Sequence, residues 1–154
     1  MINNNRDFGI LQLKLSNTTA HNNLIDTTSN FISNRPNSHI VLFNSYSDII
    51  NNKNVPILHI SQGKLFYGKI IVFDIESLNL ALNFVNKSEI VYYATNVPWE
   101  NSTEKFSYWH SMFMHKDVKI VASNQNIYSL FSIGFKTPIS IASEFSYEAF
   151  KYII

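Results

Sequence analysis

A chain of 154 residues fits one domain, long enough to bury roughly two-thirds of the surface that its unfolded form exposes. The absence of cysteine excludes thiol nucleophiles, disulfides and thiolate metal sites, and a formal net charge of +1 leaves no electrostatic footprint for nucleic acid or acidic lipid. Only Arg6 and Arg35 supply guanidinium groups, which argues further against phosphate clamping.

After a polar tail over residues 1–7, "FGILQLKL" (8–15) has strand character, with apolar residues alternating around Gln12 and Lys14 so that one face is partly wet. In "HNNLIDTTSNFISNR" (21–35), Leu24, Ile25, Thr28, Phe31 and Ile32 fall at i, i+1, i+4, i+7 and i+8, the stripe of an amphipathic helix that Pro36 closes. "HIVLF" (39–43) is nearly continuous in apolar character, as expected of a parallel strand covered on both faces. "SYSDIINNKN" (45–54) is a short helix or a turn, rich in side chains that compete for backbone hydrogen bonds.

"VPILHI" (55–60) is a third strand, with Pro56 tolerated near its start. The link "SQGKLFYG" (61–68) is short for a crossover, because adjacent parallel strands need about a dozen connecting residues. Either one helical turn spans the gap or the strand pair is antiparallel. "KIIVFD" (69–74) is the clearest strand, followed by a helix that Asp74 or Ser77 can cap.

"EIVYYAT" (89–95) is β-branched and aromatic, and "NVPWENS" turns the chain into a helix around "TEKFSYWHSMFMHK". There Phe106, Trp109 and Phe113 share the core-facing stripe at i, i+3 and i+7. "VKIVAS" (118–123) leads to a helix capped by Ser123 or Asn124 and ended by a left-handed Gly134. "TPISIAS" (137–143) and "EFSYEAFKYII" (144–154) supply a last strand and a closing helix.

Strands alternating with helices predict an α/β fold. Residues 1–154 read as a single three-layer Rossmann-like domain, with a mostly parallel sheet of six to seven strands and helices on both faces. Ligands of such open sheets bind beyond the carboxyl ends of the strands, where strand order reverses. The candidates there are Asn17 and Thr18, Asn44, Asp74, Thr95 and Asn96, Ser123 and Glu144. Their hydroxyls, amides and carboxylates suit the hydroxyl groups of a sugar or nucleoside. Each can equally cap the following helix, and capping accounts for most of them. For Asp74 the cap comes first; a carboxylate ending an apolar strand otherwise needs a partner or an exposed crevice.

Trp99 lies outside the helical aromatic stripe, in the loop after Pro98, and is the aromatic assigned to a ligand face. The first turn lacks the glycines of a dinucleotide fingerprint or P-loop. The five histidines do not cluster; His110 and His115 fall on different helical faces, so no metal site is expected, and no cofactor is implied.

The segment "KIVASNQNIYSLFSIGFKTPISIASEFSYEAF" (119–150) resembles the end of the N-terminal domain of GT-B fold glycosyltransferases: a strand ending in serine, a helix running to glycine, and a strand leading to an acidic segment that ends in Phe. "EIVYYATNVPWE" (89–100) is similar to the strand and loop of that domain that face the acceptor. The resemblance implies an acceptor-side domain whose donor partner is a second Rossmann-like domain. "SNTTAHNN" (16–23) stands where the family carries a glycine pair, and Thr95 and Asn96 where it often has a histidine.

The expectation is a glycosyltransferase-like domain for a sugar or nucleotide-sugar ligand, not catalytic alone and working with a second chain or a homo-oligomer. No nucleophile–base pair or carboxylate dyad can be assigned. The alternative is a non-enzymatic assembly protein. The surplus of Asn, Ile and Lys over Gly, Ala and Arg fits an AT-rich genome, such as a phage or low-GC bacterium. The opening residues lack the basic-then-apolar plan of a secretory signal, and no run approaches the roughly 18–20 apolar residues of a membrane span. A cytoplasmic protein that binds no nucleic acid and spans no membrane is expected.

Overall fold

The computed structural model describes residues 7–13, 18–45, 53–84, 87–100 and 105–154, with backbone alone at 18–21, 87, 88 and 100. The strands are β1 (Phe8–Gln12), β2 (Ile40–Asn44), β3 (Ile57–His59), β4 (Gly68–Val72), β5 (Lys87–Ala94), β6 (Val118–Ala122) and β7 (Ser140–Ile141). They form one seven-stranded sheet in the order β3-β2-β1-β4-β5-β6-β7, and every pairing is parallel. The helices are α1 (Thr18–Asn34), α2 (Ile75–Leu82), α3 (Phe106–Phe113), α4 (Gln125–Gly134) and the single turn α5 (Tyr147–Phe150).

The chain therefore starts in the middle of its sheet. From β1 it builds outward to β2 and β3, then returns and builds the other way through β4 to β7. Right-handed crossovers put the helices of these two directions on opposite faces. One face packs Leu78 and Ala81 of α2, Trp109, Met112 and Phe113 of α3, and Ile127 and Phe131 of α4 on the sheet. The other packs Leu24, Ile25 and Phe31 of α1 and Phe150 of α5. The result is the three-layer Rossmann-like α/β architecture.

In β1, Gln12 is partly exposed, and Lys14, the other polar residue of the strand expected over 8–15, lies outside the described residues. Phe8 to Leu11 are all buried, because the central position of β1 covers both faces. The helical stripe of α1 holds: Leu24, Ile25, Thr28 and Phe31 are buried, with Thr28 Oγ1 donating to the Leu24 carbonyl at 2.7 Å. Trp109 and Phe113 join the core as expected, whereas Phe106 lies at its margin with 40% of its surface exposed.

The short link after β3 is resolved by topology. β3 and β4 are parallel but not neighbours, and a 3₁₀ helix, Ile60–Leu65, carries the chain under β2 and β1. Its task is to cross three strand spacings of about 4.8 Å while descending about four residues at roughly 3.3 Å each. Six 3₁₀ residues at about 2.0 Å rise, with extended residues on either side, are enough. Gly63 permits the passage, since a Cβ there would stand 2.0 Å from the Phe84 ring.

Gly134 corrects another expectation. It is the last residue of α4 rather than a left-handed cap, and Gly68 alone among the described glycines has positive φ. The edges are short: β3 has three residues and β7 two, which limits the unpaired backbone they present. At the amino end of the sheet, Glu89 accepts from Lys119 at 2.7 Å and faces Lys69 at 3.6 Å, tying β4, β5 and β6 together. No helix among the described residues is long and apolar enough to cross a membrane.

The two glycines should respond oppositely to alanine. Gly63→Ala forces Cβ into the Phe84 ring and should cost about 1–3 kcal/mol in urea unfolding. Gly134→Ala meets nothing within 4 Å and should be neutral or stabilising by up to about 1 kcal/mol. Equal losses at both positions would refute the packing of the 3₁₀ crossing.

Candidate functional site

Strand order reverses between β1 and β4, so the crevice of this sheet opens beyond Gln12 and Val72. The carboxyl end of β1 is tied to both neighbours there. On the β2 side, Asn44 Nδ2 donates to the Gln12 carbonyl at 2.9 Å, and the Ser45 hydroxyl donates to the Leu13 carbonyl. On the β4 side, the Leu13 N–H donates to Ser77 Oγ at 3.2 Å, and Gln12 Nε2 lies 3.4 Å from Asp74 Oδ2.

Asp74 anchors this network. Its backbone is extended, and Oδ1 accepts the Ser77 N–H at 2.7 Å, capping α2, while Oδ2 accepts the Ser77 hydroxyl at 2.8 Å. Both of the residues read as candidate caps are thus used, one as acceptor and the other as its donor. At α4 the cap is Asn124, which accepts from the Ile127 N–H at 3.0 Å. Ser123 instead joins β6 to β5 through its N–H and the Ala94 carbonyl, 2.9 Å apart.

The strand-end candidates separate into distinct groups. Asp74 and Asn44 meet at the switch point, both linked to Gln12, and Asn44 is fully buried. Thr95 and Asn96 are exposed after β5, and Glu144 is exposed after β7. Trp99, in the 3₁₀ turn Pro98–Glu100, is half-buried; its ring lies 4.4 Å from that of Phe135 and 5.1 Å from that of Phe131, which builds it into the α4 layer. Asn17 and the side chain of Thr18 lie outside the described residues, as does most of the helix or turn expected over 45–54.

Beside the switch point, a cleft of about 470 Å³ opens between the end of β1 and the first turns of α2 and α3. Leu13, Ile75, Leu80 and Trp109 form its apolar lining, and Glu76, Asn79, Lys105 and Tyr108 its polar lining. Its volume falls within the roughly 300–1,000 Å³ usual for small-ligand sites. Apart from Leu13, which follows β1, these side chains stand on α2 and at the start of α3 rather than at strand ends, so the crevice rule applied to sequence passes them by. The available signal was on the helices: Glu76 and Asn79 are polar at i and i+3 on α2, and Tyr108 is one turn into α3.

Electrostatics couple the strand ends to the core behind them. Burial first, and then the Asp74 carboxylate, push the Tyr92 phenol well above the ordinary tyrosine range. The neighbouring Tyr93, which donates to the Ala142 carbonyl at 3.0 Å, is raised as well, by burial and then by Glu144. Among the described residues, no three His, Asp or Glu side chains gather as a metal site. No family model, curated protein or solved structure matches the chain.

A tyrosine held neutral in the folded state contributes stability that is present below the unfolded pKa, near 10, and lost as pH rises above it. Urea midpoints should therefore fall between about pH 9 and 11. Tyr92→Phe should flatten that decline, because phenylalanine has no proton to lose. An unchanged alkaline slope in the variant would remove Tyr92 from the account.

Proposed function

We propose that this chain is a glycosyltransferase-like ligand-binding domain that takes a sugar or nucleotide-type ligand in the cleft beside the β1/β4 switch point. The observation that carries the reading is the composition of the cleft at that place in the fold. Glu76, Asn79, Lys105 and Tyr108 offer donors and acceptors within reach of apolar walls, the mixture that a hydroxyl-rich ring requires. The ordered resemblance to the acceptor-side domain of GT-B enzymes supports the same class, as an analogy of pattern.

The reading is of binding rather than catalysis by this chain alone. The described lining contains no Ser, Thr or His to pair as nucleophile and base, and chemistry in a GT-B arrangement needs a donor-side domain. Saturation-transfer NMR and calorimetry against nucleotide sugars and simple glycans test it. At least one should bind, and Asn79→Ala or Tyr108→Ala should weaken it by about tenfold, the loss of one hydrogen bond or contact surface, without changing the thermal midpoint. A chain that binds none of these ligands, alone or with a candidate donor-side partner, is not such a domain.

A second reading, an assembly protein, draws on the apolar edge of the sheet, where Ile139 and Ile141 are 50% and 45% exposed beside β7. Light scattering separates the two. Assembly through β7 gives a dimer that Ile141→Lys dissolves, whereas the ligand-binding reading predicts that Ile141→Lys leaves the mass and the ligand affinity unchanged.

A further inference from the structure

We infer that the 3₁₀ helix Ile60–Leu65 is an acid-released strap, held while the His59 imidazole is neutral and let go when it is protonated. The strap carries the chain from β3, at one edge of the sheet, to β4, beyond its centre. It rests on aromatic contacts. Gly63 passes against the Phe84 ring, and the Phe66 ring that follows stands 5.4 Å from that of Phe43.

The start of the strap is closed by a reciprocal pair of hydrogen bonds, the plan of a capping box. The Ser61 N–H donates to His59 Nδ1 at 3.2 Å, and the His59 N–H donates to Gln62 Oε1 at 3.2 Å. The Ser61 hydroxyl also stands 2.8 Å from Nδ1. A backbone N–H can only donate, so the neutral ring that makes this cap carries its proton on Nε2.

The other side-chain caps in the fold are Asp74, Asn124 and Ser146, whose oxygens accept throughout the neutral range. A histidine caps only through a bare ring nitrogen. Once imidazolium forms, both nitrogens carry protons and neither accepts. The Ser61 hydroxyl can turn to accept from Nδ1, but the Ser61 N–H is left without its acceptor. A positive ring also stands beside the backbone N–H groups that open the turn, the wrong sign for that position. Imidazole is the side chain that ordinarily changes charge between pH 5 and 8, and His59 is exposed to solvent protons.

Among the described residues, the surroundings offer no carboxylate to offset that charge. β2, β3 and the strap pack on one another; β1 and β2 carry no titratable side chain, and the strap carries Lys64 alone. Lys53, leading into β3, is a second cation, and Asp48 lies outside the described residues. α2, which ends beside the strap near Phe84, carries Glu76 alone, in its first turn at the far end.

Hydrogen exchange of the full-length chain, corrected for intrinsic rates, reads the strap at the Phe66 amide. That N–H donates to the Gly63 carbonyl at 3.0 Å, at the opposite end of the strap from His59. Its protection should fall about fivefold from about pH 7.5 to about pH 5.5, the effect of one lost cap. The interior strand β5 should keep its protection, which separates release of the strap from loss of the fold. His59→Asn supplies a cap that does not titrate and should hold Phe66 protected at both pH values, whereas His59→Ala should leave it weakly protected at both.

Equal protection of Phe66 at the two pH values in the unmodified chain overturns the inference. A fall that His59→Asn shares overturns it too, because another group is then the cause. So does a His59→Ala variant as protected as the unmodified chain at the higher pH. Should His59→Asn not fold, His59→Ser, another oxygen cap, decides in its place.

Discussion

A right-twisted strand followed by a helix packs back onto its sheet in one hand only, and most of this molecule is a consequence of that constraint. Because β1 is central, growth to β2 on one side and from β4 to β7 on the other must send α1 to one face and α2, α3 and α4 to the opposite face. The two helical layers diverge where the directions part, and the opening between β1 and β4 is the geometric remainder. Strand order brings Leu13, at the end of β1, to the border of the cleft; the rest of the described lining comes from α2 and α3, two helices of one layer.

The rim is also where the sheet must terminate its polar backbone without water-poor gaps. β1 ends with its carbonyls and N–H groups taken up by Asn44, Ser45 and Ser77, and Asp74 links Gln12 to the cap of α2. A buried amide such as Asn44 is inexpensive only when its donors are used, and its bond to Gln12 meets that condition. Strand-end polar residues therefore divide between those that close the sheet and those left facing solvent, a division that composition alone does not reveal.

This explains what was legible in the sequence. The α/β class and the helical stripe of α1 follow from periodicity, and burial of Leu24, Ile25, Thr28 and Phe31 obeys it. Ends were harder to read. "TPISIAS" suggested a full strand, yet only Ser140 and Ile141 pair, because β7 is an edge whose register with Val121 and Ala122 is brief. The link 61–68 looked too short because spacing rules assume adjacent strands, and adjacency is a tertiary fact. Trp99 stood apart from a helical stripe in one dimension, while in three it packs on Phe131 and Phe135, which are distant in sequence.

The candidate site shows the same limit more sharply. Asp74 was readable as both cap and crevice residue because the two roles share one position: the N-cap of a helix that follows a strand at a switch point is also the wall of the crevice. Its observed hydrogen bonds fill the first of these roles, with Oδ1 taking the Ser77 N–H and Oδ2 the Ser77 hydroxyl, and the described lining of the cleft does not include it. Glu76, Asn79 and Tyr108, by contrast, look in sequence like ordinary solvated helix positions. Only the approach of α3 to α2, enforced by burial of Trp109 and Leu78 in one layer, turns those exposed faces toward a common space. The cleft is thus set by how two helices pack as much as by the identity of the residues they carry.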